Sequence, residues 1–213
     1  MKSKALFLSL LLLAACGKEY NSVNERDLFG TWAHVKSVTA GNGEAVENLG
    51  ETLVFSDDHV LRSYFSTTVF AYHWELEGRE LSYGETLYTI KKLDSRHLTY
   101  TYDFNGDTFT DSWIKIEPLL PGTWTVSWTL GGVQYATFNA DGTSTWAAAD
   151  TGTTLGSFNW EVVVDLFTSR PAINYTGINV AKDIIVAAKD DELRVVDNNG
   201  TSGIYARGRL AVQ

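Results

Sequence analysis

Phe70-Ala71-Tyr72-His73-Trp74-Glu75-Leu76-Glu77 alternates, position by position, between mostly large apolar side chains and small or polar ones. A period of two puts Phe70, Tyr72, Trp74 and Leu76 on one face of an extended chain and Ala71, His73, Glu75 and Glu77 on the other. That is the pattern of an antiparallel strand with one buried and one wet face. The same alternation runs through Leu98, Tyr100, Tyr102 and Phe104, through Trp124, Val126, Trp128 and Leu130, and through Phe158, Trp160, Val162, Val164 and Leu166. Ser56-Asp57-Asp58, Asn105-Gly106, Asp141-Gly142, Asp190-Asp191 and Asn199-Gly200 punctuate these runs at hairpin spacing. No window after residue 20 carries a helical period. With only three prolines and many hairpin-length connections, the expected fold class is all-β, an up-and-down meander of short strands whose closure into barrels would remove exposed edges.

Working outward from Phe70, the chain repeats itself. Phe70 to Glu75 (FAYHWE) answers Gly156 to Glu161 (GSFNWE), and Leu28-Phe29-Gly30-Thr31-Trp32 answers Leu120-Pro121-Gly122-Thr123-Trp124. Phe55-Ser56-Asp57-Asp58-His59 answers Phe138-Asn139-Ala140-Asp141-Gly142, and Arg96-His97-Leu98 answers Asp191-Glu192-Leu193. Four landmarks in one order imply two tandem domains, 28–117 and 119–213, joined at Glu117-Pro118. Each would carry about eight strands, with closing strands near Trp113 to Ile116 and Ile204 to Val212.

A Gly-x-Trp on the first strand, a Phe-x-x-Asp-Gly-type hairpin and a strand-rich body of about 90 residues resemble the compact lipocalin-like (calycin-like) domains of bacterial lipoproteins. The resemblance implies that Trp32 and Trp124 plug the barrel floors, each under a basic side chain from the last strand in a cation–π contact. Arg207 and Arg209 are the candidates in the second copy, and Lys115 is the one candidate in the first.

The amino terminus carries a different signal. Met1-Lys2-Ser3-Lys4, the apolar run Ala5 to Leu13 and Ala14-Ala15-Cys16 form a positive region, an apolar core and small residues before a cut. Leu13-Ala14-Ala15-Cys16 resembles the lipobox of bacterial lipoproteins. It implies a signal peptide over 1–15, diacylglycerol attachment to Cys16, and a membrane anchor of two or three acyl chains. Gly17 is not the aspartate that resembles an inner-membrane retention signal, so the outer membrane is the expected location. Residues 16–27 would form a lipidated tether, of which Gly17 to Asp27 could reach roughly 35 to 40 Å if extended.

Composition narrows function. The chain has 17 Lys+Arg and 26 Asp+Glu; loss of Lys2 and Lys4 with the signal leaves 15 basic against 26 acidic residues, a formal −11. Such acidity argues against nucleic acid and anionic lipid surfaces as partners. Cys16 is the only cysteine, so no disulfide, thiol chemistry or sulfur-ligated metal is expected in the folded part. Seven Trp, ten Tyr and ten Phe supply ample core material.

Candidates for chemistry are few. His73, Glu75 and Glu77 share a strand face at a spacing that could reach a metal, but the second copy replaces the histidine with Asn159 while keeping Glu161, and a solvated face accounts for the row. Asp103-Phe104-Asn105-Gly106-Asp107 has the start of a calcium loop but places Ile114 where a glutamate is required, so a hairpin turn is expected. His34, His59 and His97 fall on separate strands or turns, and no nucleophile elbow, zinc-protease motif or phosphate loop is present. A cofactor or an enzymatic function is therefore not expected. One reading is a binding module holding a small apolar or aromatic-stacking ligand in a barrel mouth lined by residues such as Tyr100, Trp128, Trp146 and Trp160. The alternative is a docking protein of the cell envelope, since short strands leave interiors that bulky side chains can fill. An envelope hydrolase stands third, with no specific feature in its favour.

Overall fold

The structure, a computed structural model, describes residues 23–41, 43–47, 50–177 and 181–208. The segment 1–15 expected as a signal peptide, Cys16 and Arg209 lie outside the described residues. Within the described part of the segment expected as a tether lies a 3-10 turn, Glu25–Asp27, where no helix is expected from the sequence; the Asn24 side chain accepts a hydrogen bond from the Arg26 N–H at 3.1 Å.

Two closed antiparallel barrels follow in tandem. The first is built from β1 (Gly30–Thr39), β2 (Ala45–Glu47), β3 (Thr52–Phe55), β4 (Val60–Phe65), β5 (Thr68–Glu77), β6 (Glu80–Tyr83), β7 (Thr86–Leu93), β8 (His97–Phe104) and β9 (Asp107–Lys115). The short β2 and β3 pair with successive parts of β1, Lys36 to Val38 and Gly30 to Ala33, so together they occupy one position in an eight-strand circuit. Pairing of β1 with β9 closes it. The second barrel comprises β10 (Gly122–Trp128), β11 (Val133–Phe138), β12 (Thr143–Ala148), β13 (Thr154–Asp165), β14 (Arg170–Thr176), β15 (Ala181–Ala188), β16 (Glu192–Asp197) and β17 (Ser202–Arg207), closed by β10 against β17. Leu130, expected as an inward residue of β10, instead lies in the turn beyond it and is 85 % exposed. Gly131 and Gly132, both at positive φ, end the strand before Leu130 can reach the core.

The barrel floors follow one plan. Gly30 and Gly122 adopt φ of 124° and 125°, which a side chain would strain, and a Cβ on Gly122 would lie 2.6 Å from the Arg207 guanidinium. Beyond each glycine the fully buried Trp32 or Trp124 enters the barrel. Its indole N–H donates back to the carbonyl four residues earlier, Leu28 at 2.6 Å and Leu120 at 2.7 Å. The Lys115 ammonium lies 4.7 Å from the Trp32 ring centre and the Arg207 guanidinium 4.1 Å from that of Trp124. Lys115 also donates to the Asp27 carbonyl, while Arg207 donates to those of Pro121 and Leu119.

The barrels pack side by side. Ala33 and Ile114, on the outside of the first, join Ile185 and Ala188 of the second in one apolar cluster. The Thr52 hydroxyl donates to the Ser169 carbonyl at 2.7 Å, the Ser169 hydroxyl donates to the Ser66 carbonyl, and the His97 ring approaches Asp190 at 3.1 Å. The connection is shared as well: Ile116, Leu119 and Leu120 are fully buried in the second core, whereas the Glu117 carboxylate accepts the Thr31 N–H of the first barrel at 2.8 Å.

Candidate functional site: the mouth of the second barrel

Matching the pairing registers shows which positions correspond. Bulges after Ile90 in β7 and after Ile185 in β15 align these strands, with Ile90 facing Tyr100 and Ile185 facing Val195. Two residues further towards the open end stand Tyr88 and Tyr102 in the first barrel, but Asp183 and Asp197 in the second. On the opposite wall, Ser37 faces Asp111 in the first barrel where Trp128 faces Gly203 in the second. Leu53 faces Ser63 where Ala136 faces Trp146. Each barrel thus has one wall of rings and one of smaller polar groups, placed on opposite sides.

These exchanges give the two interiors different contents. In the first, Tyr83 and Tyr88 stack with ring centres 4.2 Å apart, Tyr88 meets Tyr102 at 5.2 Å, and Tyr102 stacks on Phe109 at 5.4 Å, so rings fill the upper interior. Beside them lies a polar group. Ser37 donates to Asp111 and lies 3.2 Å from the His34 imidazole, and Ser63 donates to Glu51 at 2.9 Å. Burial pushes the His34 imidazole down to about 4 and the Glu51 carboxyl up to about 6, and it raises Asp111 as well.

In the second barrel the short aspartates leave a cleft of about 430 Å³ at the mouth. Trp128, Trp146, Phe158 and Tyr175 form its aromatic wall, from β10, β12, β13 and β14, and Asp183 and Asp197 face it from β15 and β16. Two glycines set the ring positions. A Cβ on Gly203 would lie 2.7 Å from Trp128 ring carbons, and one on Gly156 would lie 2.9 Å from the Phe158 ring. Both rings therefore occupy space that a side chain at these positions would take. Trp146 crosses Tyr175 edge to face at 5.7 Å, and its buried indole N–H has no partner among the described residues.

Polar groups at the base of the cleft form a chain. The Tyr205 hydroxyl donates to Asp183 Oδ2 at 2.5 Å, and the Tyr175 and Tyr205 hydroxyls are 3.1 Å apart. Burial raises the Asp183 carboxyl to about 6 against the opposing effect of these phenolic hydrogen bonds, and burial holds both tyrosines well above their ordinary range. Asp197 Oδ1 accepts the N–H groups of Asn199 and Thr201, each at 2.8 Å, which fixes it on its own turn. Lys182, the lining cation, is drawn to Asp165 at 3.1 Å.

Of the four residues expected to line a mouth, Trp128 and Trp146 come together here. Trp160 does not line the cleft; its ring meets Phe138 at 5.6 Å and its N–H donates to the Thr143 carbonyl at 2.9 Å. Tyr100 belongs to the other barrel, buried with its hydroxyl 3.1 Å from that of Tyr83. Alternation identified both as inward-facing, but depth along the barrel and membership of one copy depend on register. Phe158, Tyr175 and the two aspartates escaped the sequence reading. The glycines at 156 and 203, inside strands where a glycine marks close approach, were the available signal.

The remaining candidates fall elsewhere. His73 and Glu75 lie 3.9 Å apart on an exposed outer face, and no group of three or more His, Cys, Asp or Glu among the described residues could hold a metal ion. Asn105 and Gly106, both at positive φ, form the two-residue turn between β8 and β9. His34 points into the first barrel, His59 stacks on Trp74 at 4.8 Å, and His97 sits at the inter-barrel contact. A second cleft of about 430 Å³ opens beside Trp128 towards Arg194, with that one aromatic in its wall. The fold defines a class: a tandem pair of small, closed, up-and-down β-barrels, one of which has an aromatic cleft at its mouth. In comparison with known proteins, no family model matches the chain and no curated protein matches its sequence.

Proposed function

We propose that the chain is a lipid-anchored lipoprotein of the outer membrane that holds a small, flat, apolar ligand in the mouth of a lipocalin-like second barrel, and that it acts by binding rather than by catalysis. The carrying observation is the aromatic cleft of about 430 Å³, whose wall of four rings suits a compact planar ligand. Support for the anchor comes from Leu13-Ala14-Ala15-Cys16 behind an apolar export core. Support for the lipocalin-like assignment comes from the plugged floors, where Lys115 and Arg207 cover Trp32 and Trp124. The first barrel, filled by its own rings, serves as a rigid neighbour.

Titration with the uncharged fluorophore N-phenyl-1-naphthylamine tests this reading. Its emission should rise on binding, and Trp128→Ala and Trp146→Ala should each weaken binding by about tenfold or more, the loss expected when an aromatic contact worth about 1.4 kcal/mol is removed. Binding that survives both substitutions would place the ligand elsewhere, and absence of binding at millimolar protein would favour the docking alternative.

A further inference from the structure

Resting on the reading above, we infer that the natural ligand of the second barrel is an amine, a flat apolar body bearing one protonated nitrogen, with its rings against the Trp128, Trp146 and Phe158 wall and its ammonium against Asp183. Three observations converge on a cation. First, Asp183 and Asp197 are direct cross-strand partners at the cleft, an arrangement that like charges disfavour and that a bound cation relieves. Second, the cation among the described residues lining the cleft, Lys182, is paired with Asp165. Third, the opposite wall is aromatic, and ring faces attract an ammonium as well as stacking on an apolar body.

Asp183 is the anchor of the two. Its carboxylate has about four acceptor sites, and the phenolic hydroxyls of Tyr205 and Tyr175 engage only part of that capacity. The tyrosines orient it from below, so a ligand N–H meets an acceptor already fixed in place. Asp197 is tied to its own turn and supplies field. The first barrel has Tyr88 and Tyr102 at the corresponding positions, so this site belongs to the second barrel alone.

The test uses three compounds of one skeleton on the intact protein at pH 7.5: 2-phenylethylamine, 2-phenylethanol and phenylacetate, measured by calorimetry and by displacement of N-phenyl-1-naphthylamine. The amine should bind at least tenfold more tightly than the alcohol, and phenylacetate least. Asp183→Asn, which keeps an acceptor for Tyr205, should weaken the amine by tenfold or more and abolish its advantage over the alcohol. The unaltered protein gives an independent reading. Asp183 faces Tyr175 from β14, Asp197 from β16 and Tyr205 from β17, with Lys182 beside it on β15. With the Asp183 carboxyl near 6, lowering the pH to 5 should shrink the amine's advantage several-fold without affecting the alcohol. Equal binding of amine and alcohol at pH 7.5 would overturn the inference while leaving the carrier reading intact. Failure of the neutral fluorophore and all three compounds to bind would overturn both.

Discussion

His34 shows what a single buried side chain commits the fold to. It lies inside the first barrel, edge to face with Trp113 at 4.9 Å and beside Ser37, where its neutral form is favoured and its pKa falls to about 4. An unfolded chain binds a proton on this ring below about 6.5, whereas the folded chain does not until about 4. Stability is therefore lost as pH falls through that window, by about 1.4 kcal/mol per unit. Glu51, raised to about 6, acts in the opposite sense, since its folded form takes up a proton first as the solution is acidified. Replacing His34 with glutamine removes one side of this balance. Between pH 7 and pH 5, His34→Gln should gain about 2 kcal/mol of stability relative to the unaltered protein, read from urea midpoints at each pH. Identical pH profiles would mean that His34 takes up its proton in the folded state. The second barrel has Val126 at the matching place, and its Asp183, raised by burial to about 6, acts in the same sense as Glu51.

At the scale of elements, the strands show why two copies with matching landmarks came to differ. β1 carries a bulge between His34 and Lys36, whereas β10 runs straight, so the matching residue is Ser37, opposite Asp111, in one barrel and Trp128, opposite Gly203, in the other. The bare backbone of Gly203 makes room for that tryptophan. Gly203 is not at positive φ, so alanine there is acceptable to the backbone, and any effect must come from crowding the Trp128 ring at 2.7 Å. Gly203→Ala should destabilise the second barrel by about 1 to 3 kcal/mol and weaken N-phenyl-1-naphthylamine binding, as seen in urea unfolding and in the fluorophore titration. If both stay unchanged, Trp128 is not held over Gly203. Residue alternation was enough to identify most of these strands, because one buried face imposes a period of two. It could not say which glycine in a strand lies beneath a ring, since that requires the register.

For the whole molecule, each meander closes on itself, but the boundary between them is interlocked. Ile116 is buried in the second core, while Glu117, the next residue, caps the first barrel through the Thr31 N–H. Fragments 23–117 and 116–213 should each fold and give dispersed NMR spectra. A second fragment begun at residue 119 lacks Ile116 and should be less stable by about 2 kcal/mol, the contribution of one buried isoleucine. Two disordered halves beside a well-ordered intact chain would show that the contacts of Ala33, Ile114 and Thr52 with the second barrel are needed for folding. The proposed lipidation of Cys16 is tested separately from the barrels. Cys16→Ser should leave the chain unacylated and release it from the membrane fraction, and membrane retention of the unacylated protein would refute the lipobox assignment.

The sequence by itself determined the all-β class, the duplication and the inward faces of most strands, because local periodicity, turn chemistry and repeated landmarks are properties of neighbouring residues. The resemblance to lipocalin-like domains, rather than periodicity, implied Trp32 and Trp124 as floor residues, with Lys115 as cover in the first copy and Arg207 or Arg209 in the second, and Lys115 and Arg207 meet these rings. Only the tertiary structure decided which mouth is open. That depends on bulges that shift register by one residue and on cross-strand pairs far apart in the chain. Such pairs set Asp183 beside Asp197, and Trp128 over Gly203, in one barrel, and tyrosine on tyrosine in the other. A cavity is what packed volumes leave over, and volumes from six strands sum only once closure has brought those strands around a common axis.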